Sequence, residues 1–145
     1  MKLTKHTDYA FRVLIYLAAR QSGENIPLAT IKEVTTAFDI SRDHVMKIVQ
    51  KLAKAGFIES VRGKQGGMRL GRDATEINLK DVVALMEVTL LPVNCSEPVC
   101  RIKPVCELSG ILLSAQEQFL NHVGQYTLAD IVKPNSDTVY LINNL

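Results

Sequence analysis

The sequence lacks several features that would define its class at once. It has three cysteines, an odd number that cannot all pair in internal disulfides. None of them forms the C-x2-C pair of most structural zinc sites. The apolar stretch 9–19 contains Arg12, lacks a cleavage site of small residues and is too short to span a bilayer. We therefore expect a cytoplasmic protein without a signal peptide or a membrane partner.

Catalytic motifs are missing as well. Gly66 and Gly67 could suggest a phosphate-binding loop, but the Lys-Ser or Lys-Thr pair that ends such a loop is absent. The sequence also has no substrate-pocket motif, no second cysteine cluster and no internal repeat. These absences predict that the chain is not an enzyme. A redox protein or electron carrier that uses a metal cluster remains as an alternative of another class.

The positive charge of the chain is concentrated in one window. The 145 residues have a net charge of +2, and 47% of them are apolar, which is enough for one packed domain. Residues 41–72 hold eight lysines or arginines against two acids, so this window is +6 and the rest of the chain is −4. Such a window indicates a face that binds a polyanion, although a solvated helix surface can have the same composition.

A first helix is predicted at residues 7–20. Thr7 fits the N-cap position, and apolar residues follow at helical spacing. Gly23 is expected to end the helix, and residues 26–27 could form a short edge strand. The apolar positions of the helix are Ala10, Val13, Leu14, Leu17 and Ala18.

A second and a third helix follow. Residues 30–33 fit a capping box that opens a helix running to about Ala37. Ser41 fits the N-cap of a helix to Ala55, and Gly56 stands where a helix end favours positive φ. A short helix, a brief turn and a longer basic helix form a helix-turn-helix pattern. The inward positions of the third helix are predicted to be Val45, Ile48, Val49 and Leu52.

The next segment has the pattern of a β-hairpin. Residues 57–62 alternate like a strand, 63–67 form a basic glycine-rich tip, and 68–70 return as a second strand. A hairpin directly after a helix-turn-helix is a wing. We therefore predict a mainly α fold with a small β-hairpin: a winged helix-turn-helix DNA-binding domain over residues 1–75, followed by a long C-terminal dimerisation helix.

Both exposed surfaces of this module are polar and basic. The first turn of the third helix has side chains long enough to reach base edges in a major groove, and its later lysines suit phosphates. The wing combines cations with glycines that permit close approach to a DNA backbone. Winged helices also serve as protein-interaction modules, but two basic surfaces together favour DNA. The candidate DNA-binding residues are Ser41, Arg42, His44, Lys47, Lys51, Arg62, Lys64, Gln65 and Arg69.

The C-terminal half is predicted to be helical outside one loop. Asn78 and Asp81 can cap a helix at 79–88, and the box 127–130 opens a last short helix. The pattern at 107–126 has one extensive apolar side, which we interpret as a dimerisation surface, with packing onto its own module as the alternative. Its apolar positions are Leu108, Ile111, Leu112, Ala115, Phe119, Leu120 and Val123. These patterns divide the remaining chain into a segment 76–132, which contains the connecting helix, cysteine loop and dimerisation helix, and a tail 133–145 without an assigned role.

The cysteines themselves are clustered. Cys95, Cys100 and Cys106 lie within twelve residues in a C-x4-C-x5-C pattern. Three thiolates can hold a soft metal centre but leave a four-coordinate site one ligand short. The wide spacing suits an iron–sulfur cluster better than zinc, and free thiols in a reduced cytosol are the alternative. The spacing leaves the fourth ligand open. The local candidates are Glu97, Glu107 and Ser109, and the histidines are dispersed at His6, His44 and His122.

Three stretches together carry a resemblance to a known family. Residues 3–18, residues 40–71 and the cysteine loop resemble the NsrR family of nitric-oxide-sensing repressors, in the superfamily that also contains the iron–sulfur regulator IscR. The similarity extends to about Val132. It implies a homodimer that binds a palindromic operator in double-stranded DNA and carries one cluster, expected to be 4Fe–4S, per subunit. It also implies that the three cysteines are cluster ligands and that nitrosylation of the cluster releases the operator.

The resemblance also suggests the fourth ligand. In NsrR relatives it is an aspartate near the start of the first helix, supplied by the other subunit, and Asp8 occupies that place. In IscR-like members it is a histidine three residues after the last cysteine, a position held here by Ser109. This difference favours NsrR. Without the resemblance, Asp8 is an acid in the first turn of a helix, where it suits the helix dipole. An iron-status or iron–sulfur-status regulator of the same superfamily is the alternative.

Overall fold

A central helix is surrounded by the other elements of the fold. The computed structural model describes residues 2–21 and 28–145, so the predicted helix end at Gly23 and the edge strand at 26–27 lie outside the described residues. In chain order the elements are α1 (Lys5–Arg20), α2 (Ile31–Phe38), α3 (Arg42–Lys54), β1 (Ile58–Val61), β2 (Gly67–Leu70), a 3-10 turn (Ala74–Glu76), α4 (Leu79–Met86), α5 (Leu108–Val123), α6 (Leu128–Ile131) and α7 (Asp137–Asn143). The helix α1 contacts α2, α3, α4, α6, α7 and β2.

The start of α1 differs from the prediction. The N-cap is Thr4, whose side chain accepts a hydrogen bond from the Thr7 amide, and the helix begins at Lys5. The prediction of Thr7 as the cap was wrong, because Thr4 offers the same capping chemistry three residues earlier. Thr7 instead lies in the first turn, is fully buried and uses its hydroxyl in a tertiary contact.

The apolar side of α1 forms the middle of the core. Ala10, Val13 and Leu14 have no exposed surface, and Leu17 is 2% exposed. The same core cluster includes Leu70 of the wing and Val82 of α4, which lie on opposite sides of the predicted domain boundary at residue 75. Burial of apolar side chains is the main favourable contribution to folding, so the two halves of the chain stabilise each other.

The helix-turn-helix forms as its capping residues predict. The Glu33 amide donates to the Thr30 hydroxyl at 3.2 Å, and the Thr30 amide donates to the Glu33 carboxylate at 2.6 Å, which confirms the capping box. Ser41 is the N-cap of α3, as predicted. Gly56 has φ +79°, the left-handed conformation that its position after the helix predicts. The predicted inward positions of α3, which are Val45, Ile48, Val49 and Leu52, are all buried.

The wing is an antiparallel hairpin fastened to the segment before α2. Ile58 pairs with Leu70, and Val61 pairs with Gly67. Met68 exchanges two backbone hydrogen bonds with Ala29, at 2.8 and 3.0 Å. A Cβ at Gly67 would lie 2.7 Å from the Ala29 carbonyl oxygen, so glycine is what permits this approach. The structure therefore confirms the predicted helix-turn-helix followed by a hairpin.

The C-terminal half adds helices with different degrees of burial. The helix α4 ends at Met86, because Glu87 is extended, and Val88 is 97% exposed. The helix α5 ends at Val123, three residues before the predicted end, and contains no buried residue. Among residues 2–21 and 28–145, no helix combines the length and the apolar character that a bilayer crossing requires.

The last two helices close the core. The Asp130 carboxylate accepts from the Thr127 amide at 2.7 Å, as predicted for the box that opens α6. The tail, to which the sequence pattern assigns no role, contains α7, and this helix packs on α1. Its buried side consists of Val139 and Ile142. Two apolar residues one turn apart are a weak sequence signal, so the helix was missed.

A polar clasp joins the end of α4 to the start of α1. The Glu87 carboxylate accepts hydrogen bonds from the Thr4 amide at 2.7 Å, from the Thr4 hydroxyl at 3.1 Å and from the Thr7 hydroxyl. Burial raises the pKa of Glu87, but the hydrogen bonds from Thr7 and Thr4 lower it, and the net direction is downward. The charged form of Glu87 therefore stabilises the folded chain.

Replacing Glu87 by Gln should lower the free energy of unfolding at pH 7 by about 1 kcal/mol, because an amide oxygen is a weaker acceptor than a carboxylate. The folded pKa lies below the unfolded one, so this contribution is present above the unfolded pKa and is lost as the pH falls through the folded pKa. Urea unfolding at pH 7 and in acid should show the difference shrinking. Glu117→Gln, at an exposed position of α5, is the control. If the stability difference between the wild type and Glu87→Gln is unchanged in acid, the charged form of Glu87 does not stabilise the fold.

Candidate DNA-binding surface and cysteine loop

The structure places the predicted DNA-binding residues on α3 and the wing, and every one of them is exposed. The helix α3 contacts β1, so the two elements form one continuous region. We call it the basic surface. Its members are Ser41, Arg42, His44, Lys47, Lys51, Arg62, Lys64, Gln65 and Arg69.

Two members of the basic surface also anchor the start of α3. The Ser41 hydroxyl accepts from the His44 amide at 3.4 Å and is 2.9 Å from His44 Nδ1. The His44 ring lies 6.2 Å from the ring of His6 and 6.1 Å from that of Tyr9, measured between centroids. These contacts attach the first turn of α3 to α1. Arg42 in this turn and Lys47 in the next are long cationic side chains exposed to solvent.

An open groove separates the helix-turn-helix from the wing. Its volume is about 560 Å³, and Arg42 and Thr35 line the helical side. Ser60 and Gly63 line the wing side. A cation on the wall of a groove between two basic elements is well placed for a phosphate group.

The wing tip carries three exposed polar side chains on a tight turn. Gly63 has φ +118°, and its carbonyl accepts from the Gly66 amide at 3.0 Å. Arg62, Lys64 and Gln65, at this turn, are exposed to solvent. Because φ near +118° is accessible mainly to glycine, this residue sets the shape of the tip.

Arg69 differs from the other wing cations because it already has a partner. Its Nε donates to the Glu59 carboxylate at 2.9 Å, and both side chains are about half exposed. The hydrogen bond lowers the pKa of Glu59 and raises that of Arg69. A pair so open to solvent is weakly held, so Arg69 can exchange this carboxylate for a phosphate.

The three cysteines lie in the loop between α4 and α5 and are half-buried. The loop is built from successive turns: the Cys100 amide donates to the Cys95 carbonyl at 3.2 Å, and the Lys103 amide donates to the Cys100 carbonyl at 3.2 Å. The Asn94 side chain accepts hydrogen bonds from the Ser96 amide at 2.9 Å and from the Glu97 amide at 3.2 Å. The thiols are thus held by one locally bonded segment.

The donor set of this loop suits iron, but no single-ion site is preformed. Three thiols can supply the soft ligands of an iron–sulfur cluster. In the described part of the chain, no three Cys, His, Asp or Glu side chains converge on a point where one metal ion could bind. The loop also exposes apolar side chains, with Val99 77% and Val105 82% exposed. The loop therefore offers three thiols as a donor set, and it would have to rearrange for them to bind one group together.

Asp8 lies in the first turn of α1, away from the cysteines in sequence, and is paired within its own helix. Its carboxylate accepts from Arg12 Nε at 2.9 Å and from Arg12 Nη2 at 3.0 Å. This hydrogen bond raises the pKa of Arg12. Within one chain the partner of the Asp8 carboxylate is therefore Arg12. Its side chain is 47% exposed, so it remains accessible to a second chain.

The predicted apolar side of α5 is largely uncovered. Leu108 is 56% exposed and Ile111 is 62% exposed, and the main contact of α5 within the chain is with α4. Packing of α5 onto its own module, the alternative considered from the sequence, therefore leaves three of the seven predicted positions exposed and the other four half-buried. Exposed apolar side chains on this scale mark an interaction surface.

Comparison with known proteins identifies relatives of the whole fold. A family model described as "Rrf2: Iron-dependent Transcriptional regulator" matches residues 3–134. The structure of CymR (YrzC), the global cysteine regulator of B. subtilis, matches with a TM-score of 0.73 and 20% identity, over 94% of this chain and 99% of that one. IscR of T. potens matches with a TM-score of 0.72 and 21% identity, over 94% of this chain and 90% of that one. Likeness at such identity shows the fold alone, and it confirms the predicted mainly helical winged helix with a two-stranded hairpin.

Removing single cations from the basic surface should weaken DNA binding. Arg62→Ala should lower the slope of log affinity against log salt by about 0.9 for each phosphate contact that is lost. Lys47→Ala should weaken binding to the preferred sequence more than to an unrelated one, because this side chain is expected to reach base edges. Fluorescence anisotropy on labelled duplexes over a salt series measures both effects.

Lys133→Ala is the matched control, since it removes the same charge from a position outside α3 and the wing. Unchanged affinity and unchanged salt slope for Arg62→Ala or Lys47→Ala would exclude that residue from the basic surface.

Proposed function

This chain belongs to the Rrf2 family of transcriptional regulators, and on that premise we propose that it is a repressor that senses nitric oxide through an iron–sulfur cluster. Family membership makes it a DNA-binding transcriptional regulator and not an enzyme. The signal, the cofactor and the dimer are the proposal. The observation that carries it is the arrangement of the chain's three cysteines as half-buried thiols in one loop, directly before a helix with an exposed apolar side.

The proposed assembly is a homodimer formed through α5. The exposed Leu108 and Ile111 would be covered by the same side of a second copy. A twofold dimer presents two copies of α3, which suits a palindromic operator with half-sites about 34 Å apart. Burial of such a side supplies the association free energy that a small winged domain otherwise lacks.

The proposed cofactor is held by Cys95, Cys100 and Cys106, with Asp8 of the second subunit as the fourth ligand. A cluster bound there supplies iron with which nitric oxide can react. A carboxylate is a harder ligand than a thiolate and holds iron less firmly, so Asp8 would be the ligand that exchanges most readily. Support comes from the accessibility of Asp8 and from Ser109, which stands where IscR-like members carry a histidine.

The response to the signal follows from what Asp8 can pair with. Released from the second subunit's loop, Asp8 re-forms its two hydrogen bonds to Arg12 in its own helix. The helix α1 also carries the core contacts of α3, so a change at its first turn alters the placement of the two copies of α3. The operator affinity then falls, because two recognition helices bind successive major grooves only at one spacing.

An iron-status or iron–sulfur-status regulator is the second candidate. It is favoured by the family description, which reads iron-dependent, and by the match to IscR. The two candidates differ in what releases DNA. Protein purified without oxygen should be titrated on the same duplex with nitric oxide and, separately, with an iron chelator. Release of the duplex by nitric oxide without chelator supports the first candidate. Release by the chelator but not by nitric oxide supports the second.

Cys100→Ala should abolish cluster binding and leave the fold intact, because it removes one of three thiolate ligands from an exposed loop. The measurements are visible absorption after anaerobic reconstitution and far-UV circular dichroism. Ser96→Ala, in the same loop, is the control and should keep the absorption. An absorption spectrum of Cys100→Ala identical to that of the wild type would contradict the ligand assignment.

Asp8→Ala should retain a cluster but change the concentration of nitric oxide at which DNA is released, because the exchangeable ligand is gone. Asp137→Ala, which removes an acid from the first turn of α7, is the matched control. Anaerobic gel-shift titrations compare the two variants. A nitric oxide response of Asp8→Ala equal to that of the wild type would mean that Asp8 is not a ligand.

A further inference from the structure

Arg72 lies just after the wing but its side chain reaches the end of α3. Nη2 donates to the Ala55 carbonyl at 2.8 Å, and Nε donates to the Gly56 carbonyl at 3.2 Å. The guanidinium carbon lies 4.5 Å from the centroid of the Phe57 ring. One side chain thus contacts three consecutive residues that connect the recognition helix to β1. It belongs to the basic window of the sequence, where composition suggests a DNA contact, and the residue is exposed, yet its Nε and Nη2 donate to backbone carbonyls of the protein.

These contacts match the chemistry of a guanidinium group. The last carbonyls of a helix have no amide partners within the helix and form the negative end of its dipole. A planar cation with several N–H donors can bond the carbonyl of the helix cap, Ala55, and that of the next residue, Gly56, and stack on an aromatic ring at once. A lysine ammonium has the same charge but cannot make this set of contacts together.

The backbone at this junction is closely packed around the same side chain. A Cβ at Gly56 would lie 3.0 Å from Arg72 Nη2, and a Cβ at Gly71 would lie 2.7 Å from the Gly56 carbonyl oxygen. The Gly71 amide donates to the Phe57 carbonyl at 2.9 Å. Two glycines thus let the start and the end of the hairpin meet at the end of α3, and Arg72 closes the junction.

We propose that Arg72 is a positioning residue that fixes the wing relative to the recognition helix, so that both reach DNA together. It acts through the junction of Ala55, Gly56 and Phe57 and is not a phosphate ligand. The proposal requires DNA binding only, and it stands whatever the signal or cofactor of the regulator proves to be.

The test compares Arg72→Lys, Arg72→Ala and Arg62→Ala in the full chain. The probe is the duplex that the wild-type protein selects from a random-sequence pool. Arg72→Lys and Arg72→Ala should both weaken binding by about tenfold and should both lower the salt slope by about the amount that Arg62→Ala removes, because the wing's phosphate contacts are lost with the geometry, whether or not position 72 keeps its charge. Arg62→Ala should lower the salt slope. If Arg72→Lys binds like the wild type while Arg72→Ala has a lowered salt slope, Arg72 is a phosphate ligand and the proposal fails.

A second measurement separates positioning from a general loss of folded protein. In the Arg72→Lys background, adding Arg62→Ala should cost less affinity than it does in the wild type, because the wing is no longer held on the DNA. Adding Lys47→Ala should cost as much as before. Urea unfolding gives the folded fraction by which each affinity is corrected. Equal costs of Arg62→Ala in both backgrounds would overturn the proposal even if Arg72→Ala does not fold.

Discussion

Burial of the apolar side of α1 is the constraint on which the rest of this structure depends. Ala10, Val13 and Leu14 are fully enclosed, and the elements that enclose them come from both halves of the chain. The α2, α3 and β2 elements pack on this helix, and so do α4, α6 and α7. Close-packed interiors transmit displacement because they have few voids into which side chains can relax. The elements that carry the candidate DNA-binding residues and those on either side of the cysteine loop therefore pack on the same helix or on its neighbours.

The polar groups at the start of α1 add specificity to that support. Thr4 and Thr7 bind Glu87 at the end of α4, and Asp8 pairs with Arg12 one turn later. Glu87 stands eight residues before Cys95. The hydrogen bonds from Thr4 and Thr7 to Glu87 thus connect the segment that leads into the cysteine loop to α1, on which α3 packs. Under the proposed function, transmission of a signal by this route requires two arrangements of α1, and these would differ in the partner of Asp8, which is Arg12 in its own chain or the loop of the second subunit.

The sequence predicted best what local chemistry decides. The capping boxes at 30–33 and 127–130 and the cap at Ser41 involve partners within four residues, so they could be read without the fold. Thr7 was misassigned because Thr4 has identical local chemistry, and the partner that decides between them, Glu87, is 80 residues away from Thr7. The location of α7 was missed for the same reason, since its partner is α1. At the candidate site, exposure of the cations followed from helical and strand periodicity. The internal contacts of Arg72 did not, because composition counts a cation and does not show where its donors point.

The contact between α7 and α1 has a consequence for how the protein is made. The helix α1 is enclosed in part by Val139 and Ile142, which are translated more than a hundred residues after it. At about 5–20 residues per second, the apolar side of α1 waits for several seconds before its last covering arrives. During that interval the nascent chain exposes apolar surface that α7 covers in the folded protein, and transiently exposed surface of this kind is prone to aggregation.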